Sequence, residues 1–441
     1  MIDKKILSSL VLPLGDFLTQ GQFCKTLELY RRYDKEDRDT IEAISKAKLK
    51  YILNHAASRS KYYEEILGRR SNEISLFEFP ILSKYDLNLC IEKIITRSKK
   101  ELTPVSTSGS TGERSTTYFS SKELSIPRAI QTNWWMWSGY KLGNSILQTG
   151  VNTKRSSVKA LKDVFFSTRY IAAFNHDENS ILKELRRLQV YPKDHFFGFA
   201  SSLFLFAKVA SENNILNIRF KSISSFGEKL PPEFRILIEN VFSTKVYDTY
   251  GCAEGLMIAG ECENGNYHVT SPHVFLEYVD DSGKEVNVGE IGHLLVTGLD
   301  NFSTPLIRYK LGDLAVKPDA RKRCKCNRPY PLIGDIIGRK TELLKTPLGK
   351  YITVQTVTGI MKRVSSVKQF RFIQKSPSYF ELEYVPISSE KKANEGDIKR
   401  RFNEALSENL NIKFKLCQSI KRAPSGKMQI IKNEVKNSHY L

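Results

Sequence analysis

Ser106-Thr107-Ser108-Gly109-Ser110-Thr111-Gly112-Glu113-Arg114-Ser115-Thr116-Thr117 alternates small hydroxyl residues with glycine. Such a loop can wrap phosphate oxygens. Glycine allows close backbone approach and left-handed turns, while Ser and Thr hydroxyls and exposed amides donate hydrogen bonds to anionic oxygen. The stretch is not a Walker A loop, because the Gly-Lys-Ser/Thr ending is missing and Arg114 has no equivalent place in that spacing. Standing alone it also reads as a flexible Ser/Thr/Gly linker. Its surroundings decide between the two.

Upstream, Ile41, Ala43, Ile44, Ala47, Leu49, Tyr51, Ile52 and Ala56 recur at near-helical spacing, and downstream Ile181, Leu182, Leu185 and Leu188 do the same. Helices therefore dominate the first half. Short β-type runs follow at Val274 to Val279 and Ile291 to Thr297, with the turn Asp280-Asp281-Ser282-Gly283 before the second. After Arg339 the order becomes strand (Tyr379 to Val385), helix (Ile398, Phe402, Leu406, Leu410) and strand (Ile412 to Leu416), a compact α+β unit. These patterns predict two domains, residues 1–338 and 339–441.

The 441 residues, 41% of them apolar, are enough for one large core and a smaller second domain. The formal charge of +20 favours nucleic acid, an anionic membrane face or a polyanionic small molecule, and does not choose among them. From Arg339 to Leu441 there are 21 basic and 9 acidic residues, so the excess is concentrated in the second domain. That suits a domain closing over phosphates, and equally a solvated basic face. The apolar stretch Ile6 to Leu18 is interrupted by Pro13, Gly15 and Asp16, which excludes a signal peptide, and no segment is long and apolar enough to span a membrane. Seven cysteines in a chain of this length do not form a secreted disulfide framework, so a cytoplasmic location is expected.

Four further constellations follow the hydroxyl-rich loop: Tyr250-Gly251-Cys252-Ala253-Glu254, Arg308-Tyr309-Lys310-Leu311-Gly312-Asp313, Gly338-Arg339-Lys340-Thr341-Glu342 and Pro424-Ser425-Gly426-Lys427. Each is short, but the five in this order resemble the phosphate loop, Tyr-Gly-x-x-Glu, Tyr-Arg-Thr-Gly-Asp, hinge and catalytic-lysine motifs of the adenylate-forming superfamily. Phe197-Gly198-Phe199-Ala200-Ser201-Ser202-Leu203, Ser224-Ser225-Phe226-Gly227-Glu228, Thr304-Pro305-Leu306-Ile307-Arg308-Tyr309 and Cys324-Lys325-Cys326-Asn327-Arg328 are similar to phenylacetate-CoA ligases and their relatives in capsular polysaccharide gene clusters. The resemblance covers the chain after about residue 80, and the first 80 residues carry no readable motif.

The resemblance implies an α/β fold: a large mixed α/β N-terminal adenylation domain with a small, mobile α+β C-terminal domain. It implies ATP-dependent activation of a carboxylic acid through an acyl-adenylate. Ser108, Gly109, Ser110, Thr111 and Gly112 are expected to hold phosphates, Glu254 to bind Mg²⁺, and Tyr250 and Gly251 to flank the adenine opposite Gly227 and Glu228. Asp313 is expected to accept from the ribose hydroxyls, Arg339 to support ribose and phosphates, and Lys427 to bridge carboxylate and α-phosphate. Outside the motifs each of these is an ordinary surface or turn residue. Two departures stand out: Glu342 occupies a hinge position that usually carries Asp, and Glu113-Arg114-Ser115 replaces the Pro-Lys or Pro-Thr that often follows the loop.

Cys262, Cys324, Cys326 and His268 offer three thiolates and one imidazole, a set that completes a tetrahedral structural zinc site. The spacing is not that of a standard finger, similar positions recur in the phenylacetate ligase-like branch, and reduced buried thiols are the plain alternative. Cys252 could replace His268 as fourth ligand, but it lies inside the Tyr-Gly-x-x-Glu motif and would crowd the nucleotide. Trp134-Trp135-Met136-Trp137 with Tyr140 falls on a predicted helix, where consecutive aromatics point around the axis, so core packing is favoured over an acyl pocket. CoA is the expected acyl acceptor; an amine or amino sugar is the alternative. A basic nucleic-acid or membrane-surface binder on a degenerate adenylation fold is the reading from another class. No nucleic-acid module is present, so nucleic acid is not an expected partner.

Overall fold

The computed structural model describes residues 7–68, 74–106, 115–150, 163, 167–173, 178–339, 344–352, 354–361, 363–388, 393–421 and 429–435. The expected phosphate loop at 107–112, Lys340 to Glu342 and the expected catalytic-lysine motif at 424–427 lie outside them. The expectations placed on Ser108 to Gly112 and on Lys427 therefore have no structural description here.

Strands β1 (Thr103–Ser106) and β2 (Thr116–Phe119) form an antiparallel hairpin in which Ser106 faces Thr116, so both ends of the hydroxyl-rich loop are fixed. Next come β3 (Ile146–Gly150), β4 (Thr168–Ala172), β5 (His195–Gly198), β6 (Ser222–Ser225), β7 (Val246–Cys252), β8 (Leu256–Glu261) and β9 (Tyr267–Val269). They make one seven-stranded sheet in the order β4-β3-β5-β6-β7-β8-β9. Neighbours up to β7 pair in parallel, whereas β8 and β9 turn back antiparallel.

Alternation along a strand sends successive side chains to opposite faces. Phe196 accordingly packs with Leu203, Phe206, Ile238 and Phe242, contributed by helices Ala200–Glu212 and Pro232–Phe242. Its neighbour Phe197 packs with Tyr140, Trp135 and Phe226 on the other face. Helices on both faces explain why β5 and β6 are buried along their whole length.

A second, antiparallel sheet contains β10 (Val274–Val279), β11 (Ile291–Gly298), β12 (Tyr309–Val316) and β13 (Ile336–Arg339) in sequential order. The Asp280 to Gly283 turn follows β10; Asp280 Oδ1 accepts from the Ser282 and Lys284 amides, and Gly283 adopts φ +84°. The periodic helices are observed as Arg38–Arg59 and Glu178–Val190.

Beyond these, β14 (Leu344–Lys345) pairs with β15 (Tyr351–Ile352), and β16 (Val367–Ser376), β17 (Tyr379–Pro386), β18 (Asn411–Leu416) and β19 (Ile431–Asn433) form a four-stranded sheet. Helix Glu395–Leu406, capped by Asn394, buries Ile398, Phe402 and Leu406 against it, with Phe402 stacked on Phe372. Among the described residues no helix is long and apolar enough to cross a membrane.

Candidate active site and metal centre

Glu254 occupies the tight turn between β7 and β8, where Cys252 and Leu256 are paired and the Gly255 amide donates to the Cys252 carbonyl. Gly255 has φ +88°, and a Cβ there meets the Phe119 ring at 2.5 Å, so only glycine fits. The turn buries Glu254, whose Oε1 accepts from Ser115 Oγ at 2.9 Å and Tyr309 OH at 3.0 Å. Ser115 is the first described residue after the phosphate loop, and Tyr309 opens β12. The carboxylate thus ties the loop exit to both sheets. Burial, followed by the Glu254 charge, pushes the Tyr309 phenol and the Cys252 thiol well up from their ordinary values.

Tyr250, on the same strand, donates from its hydroxyl to Asp313 Oδ2 at 2.7 Å. Asp313 lies on β12 directly opposite Arg339 of β13, so three motifs far apart in sequence meet through one side-chain hydrogen bond between the sheets and one strand pair. Gly251 is required by close packing, since a Cβ there meets the Leu256 carbonyl oxygen at 2.7 Å.

Gly227 and Glu228 follow β6, the strand next to β7. Gly227 has φ +72°, and an added Cβ meets Phe199 at 2.8 Å. Glu228 Oε2 accepts from the Ser201 amide at 2.9 Å, an anion placed at the start of helix Ala200–Glu212. Lys229 donates to the carbonyls of Ile336 and Ile337 at 3.0 and 2.9 Å, joining this segment to β13. Gly227, Glu228, Tyr250 and Glu254 lie at or just beyond the carboxyl ends of β6 and β7, the edge where open parallel sheets bind ligands.

The sequence reading missed Ser115 and Tyr309 as holders of Glu254. Asp248 was also missed; it stands two residues before Tyr250 and is buried, with Oδ2 accepting from Tyr267 OH at 2.7 Å and Oδ1 without a hydrogen-bond partner among the described residues. Burial raises its pKa to about 6. Tyr309 and Ser115 were legible as motif neighbours, but Asp248 gave no signal beyond its nearness to the Tyr-Gly motif.

The four candidate zinc ligands converge. The ligand atoms of Cys262, His268, Cys324 and Cys326 all lie within 4.8 Å of one another, and Cys252 is not among them. Cys262 Sγ stands 3.6 Å from Cys324 Sγ, unbonded, and His268 Nε2 stands 3.1 Å from Cys326 Sγ. Zn–S bonds of about 2.3 Å in a tetrahedron place sulfurs about 3.8 Å apart, so the set fits that ion. His268 Nδ1 donates to the Tyr330 carbonyl at 3.2 Å, which turns the Nε2 lone pair towards the thiols. Burial lowers the imidazole to about 4, leaving it neutral at pH 7.

The aromatic cluster serves packing. Trp134 joins Tyr30, Ile126 and Ile130, Trp135 stacks on Phe197, and Trp137 stacks on Tyr330 while its Nε1 donates to Asp34 Oδ2.

The fold is that of the adenylate-forming CoA ligases. A 2-hydroxyisobutyryl-CoA ligase in the postadenylation state, in complex with R3-HIB-AMP, superimposes with a TM-score of 0.71 over 92% of each chain at 19% identity. An anthranilate CoA ligase in complex with anthranoyl-AMP matches with a TM-score of 0.52 over 76% of this chain and 67% of that one, at 14% identity. Residues 344–434 match the CapK C-terminal domain family. Protein CapK of Staphylococcus aureus is a homologue along nearly the whole length, 25% identical over 421 residues and 91% of each chain. Phenylacetate-coenzyme A ligase of Thermus thermophilus is 31% identical over 112 residues, covering 24% of this chain and 25% of that protein. The resemblance drawn from the sequence motifs is therefore sound.

Proposed function

We propose that this protein activates a carboxylic acid with ATP, forming an acyl-adenylate and pyrophosphate, and then transfers the acyl group to CoA. The observation that carries the reading is the meeting of Glu254, Tyr250, Asp313 and the Arg339 strand position around the exit of the hydroxyl-rich loop.

In the first step a carboxylate oxygen bonds to the α-phosphorus of ATP, and the bond to the bridging oxygen breaks as pyrophosphate leaves. Both reactants are anions, so their approach requires neutralised charge. By motif position Ser108 to Gly112 hold the phosphates, Asp313 accepts from the ribose hydroxyls, and Lys427 lies between the carboxylate and the α-phosphate. Glu254, whose Oε1 is held by Ser115 and Tyr309, is the residue that would hold Mg²⁺, and the ion would supply charge neutralisation at the phosphates. Cys262, His268, Cys324 and Cys326 hold a structural zinc, and four protein ligands leave no open position for water. Free thiols in that cluster suit a reducing, cytoplasmic setting.

One observation favours a second reading of the acceptor. Homology to Protein CapK spans the chain, while the phenylacetate ligase match spans a quarter of it. In that reading the activated acyl group passes to an amine or amino sugar in surface-polysaccharide assembly. Hydroxylamine and CoA, each offered with ATP and a panel of acids, separate the two: a thioester detected by mass spectrometry only with CoA supports the first reading. Hydroxamate without any thioester supports the second. Salt-sensitive binding of nucleic acid or anionic lipid without pyrophosphate release contradicts both.

A further inference from the structure

Glu254 is held from in front by Ser115 and Tyr309; behind it lies a second polar chain that the motifs do not include. His273, 3% exposed, points Nε2 at the Gly255 carbonyl oxygen 3.3 Å away and Nδ1 at Asp300 Oδ2 2.7 Å away. A carboxylate only accepts, so Nδ1 is the donor to Asp300, and Nε2 faces the carbonyl oxygen. The other oxygen of Asp300 is paired with the ammonium of Lys48, which also donates to the Pro272 carbonyl. Burial opposes the Asp300 charge, but Lys48 and His273 hold its pKa down at about 2. His273, Asp300 and Glu254 line one small cavity with Phe119 and Glu123.

A buried ion pair of this kind adds little net stability, because desolvation offsets the attraction. Its geometry has a more specific consequence. Gly255 closes the turn that carries Glu254, and the neighbouring Phe119 ring leaves that turn no room on one side. The His273 contact fixes its exit on the other.

We propose that Lys48, Asp300 and His273 form a positioning relay that holds the Gly255 carbonyl and thereby aims Glu254 at the metal–nucleotide. This rests on the reading of Glu254 as the Mg²⁺ carboxylate. The relay gives helix Arg38–Arg59, within the first 80 residues, a part in the nucleotide site.

The test is calorimetric titration of the full chain with ATP, in Mg²⁺ and in EDTA, for wild type, Glu254→Gln, His273→Phe, His273→Gln and Lys48→Met. The expected result is that Glu254→Gln removes the Mg²⁺ dependence of ATP affinity. His273→Phe and Lys48→Met each weaken the Mg²⁺-dependent part by about 10-fold, with affinity in EDTA unchanged. His273→Gln, which restores a donor, recovers most of it. Lys48 is partly exposed, so its variant reports even where His273→Phe fails to fold. Wild-type Mg²⁺ dependence in both His273→Phe and Lys48→Met, alongside its loss in Glu254→Gln, overturns the relay and leaves the metal reading intact. Wild-type Mg²⁺ dependence in Glu254→Gln overturns both.

Discussion

At the scale of single residues, Glu254 does the most with the least freedom. Its Oε1 is occupied by two hydroxyls from separate parts of the chain, Ser115 and Tyr309. Removing either hydroxyl leaves the carboxylate in place and loosens its aim. Tyr309→Phe is therefore expected to lower the acid-dependent rate of pyrophosphate release by about 10-fold, with the Ser115→Ala, Tyr309→Phe double variant falling further. Equal rates in wild type and double variant contradict the assignment. Asp248 makes a different prediction. Its folded pKa of about 6 lies above the usual 3.8, so the folded state binds the proton more tightly than the unfolded chain. That contribution to stability is complete below pH 3.8 and is lost as pH rises through 6; by pH 7 the charged carboxylate costs about 3 kcal/mol. Asp248→Asn, which still accepts from Tyr267, is expected to melt a few degrees above wild type at pH 7, with the gap closing towards pH 4. A gap independent of pH contradicts it; differential scanning fluorimetry across pH reads either outcome.

At the scale of elements, strand neighbours explain which motifs were legible. Tyr250, Asp313 and Arg339 each belong to a short pattern readable in isolation, and the Tyr250–Asp313 hydrogen bond together with the pairing of β12 with β13 brings those patterns together. Asp34 and Lys48 belong to no pattern. Asp34 binds Trp137 and Tyr330, and Lys48 binds Asp300, across separations of about 100 to 300 residues. Helical periodicity fixes which face of Arg38–Arg59 is buried but says nothing about which distant carboxylate its lysine will meet. The candidate zinc cluster lies between these cases: its four residues were legible, with Cys252 set aside for its place in the Tyr-Gly-x-x-Glu motif, while their convergence needed the placement of β9 beside the Cys324 to Cys326 loop. Protein purified from zinc-supplemented medium is expected to carry one zinc per chain by elemental analysis. Cys326→Ser is expected to lose it and melt at least several degrees lower. Zinc-free wild-type protein with the same melting temperature as Cys326→Ser contradicts the site.

At the scale of the whole molecule, Gly227, Glu228, Tyr250 and Glu254 gather at one end of the parallel strands, and the basic excess falls in the C-terminal part. The fold class and the order of the five motifs were readable because phosphate chemistry demands glycine, hydroxyl, carboxylate and lysine in short local patterns. The acid was not, because specificity depends on side chains brought together from helices and loops with no local signature. The 2-hydroxyisobutyryl-CoA ligase is known in postadenylation and thioesterification states, the latter matching this chain with a TM-score of 0.57. In the proposed function Lys427 serves the adenylation step, so Lys427→Ala is expected to impair adenylate formation far more than acyl transfer from a supplied adenylate. The most direct test is ATP–pyrophosphate exchange across aryl, fatty, hydroxy and amino acids, with wild type and Lys427→Ala side by side. The account predicts exchange that depends on one class of acid and falls by at least about 100-fold in the variant; folded, ATP-binding protein that exchanges with no acid, or exchanges equally without the lysine, would contradict it.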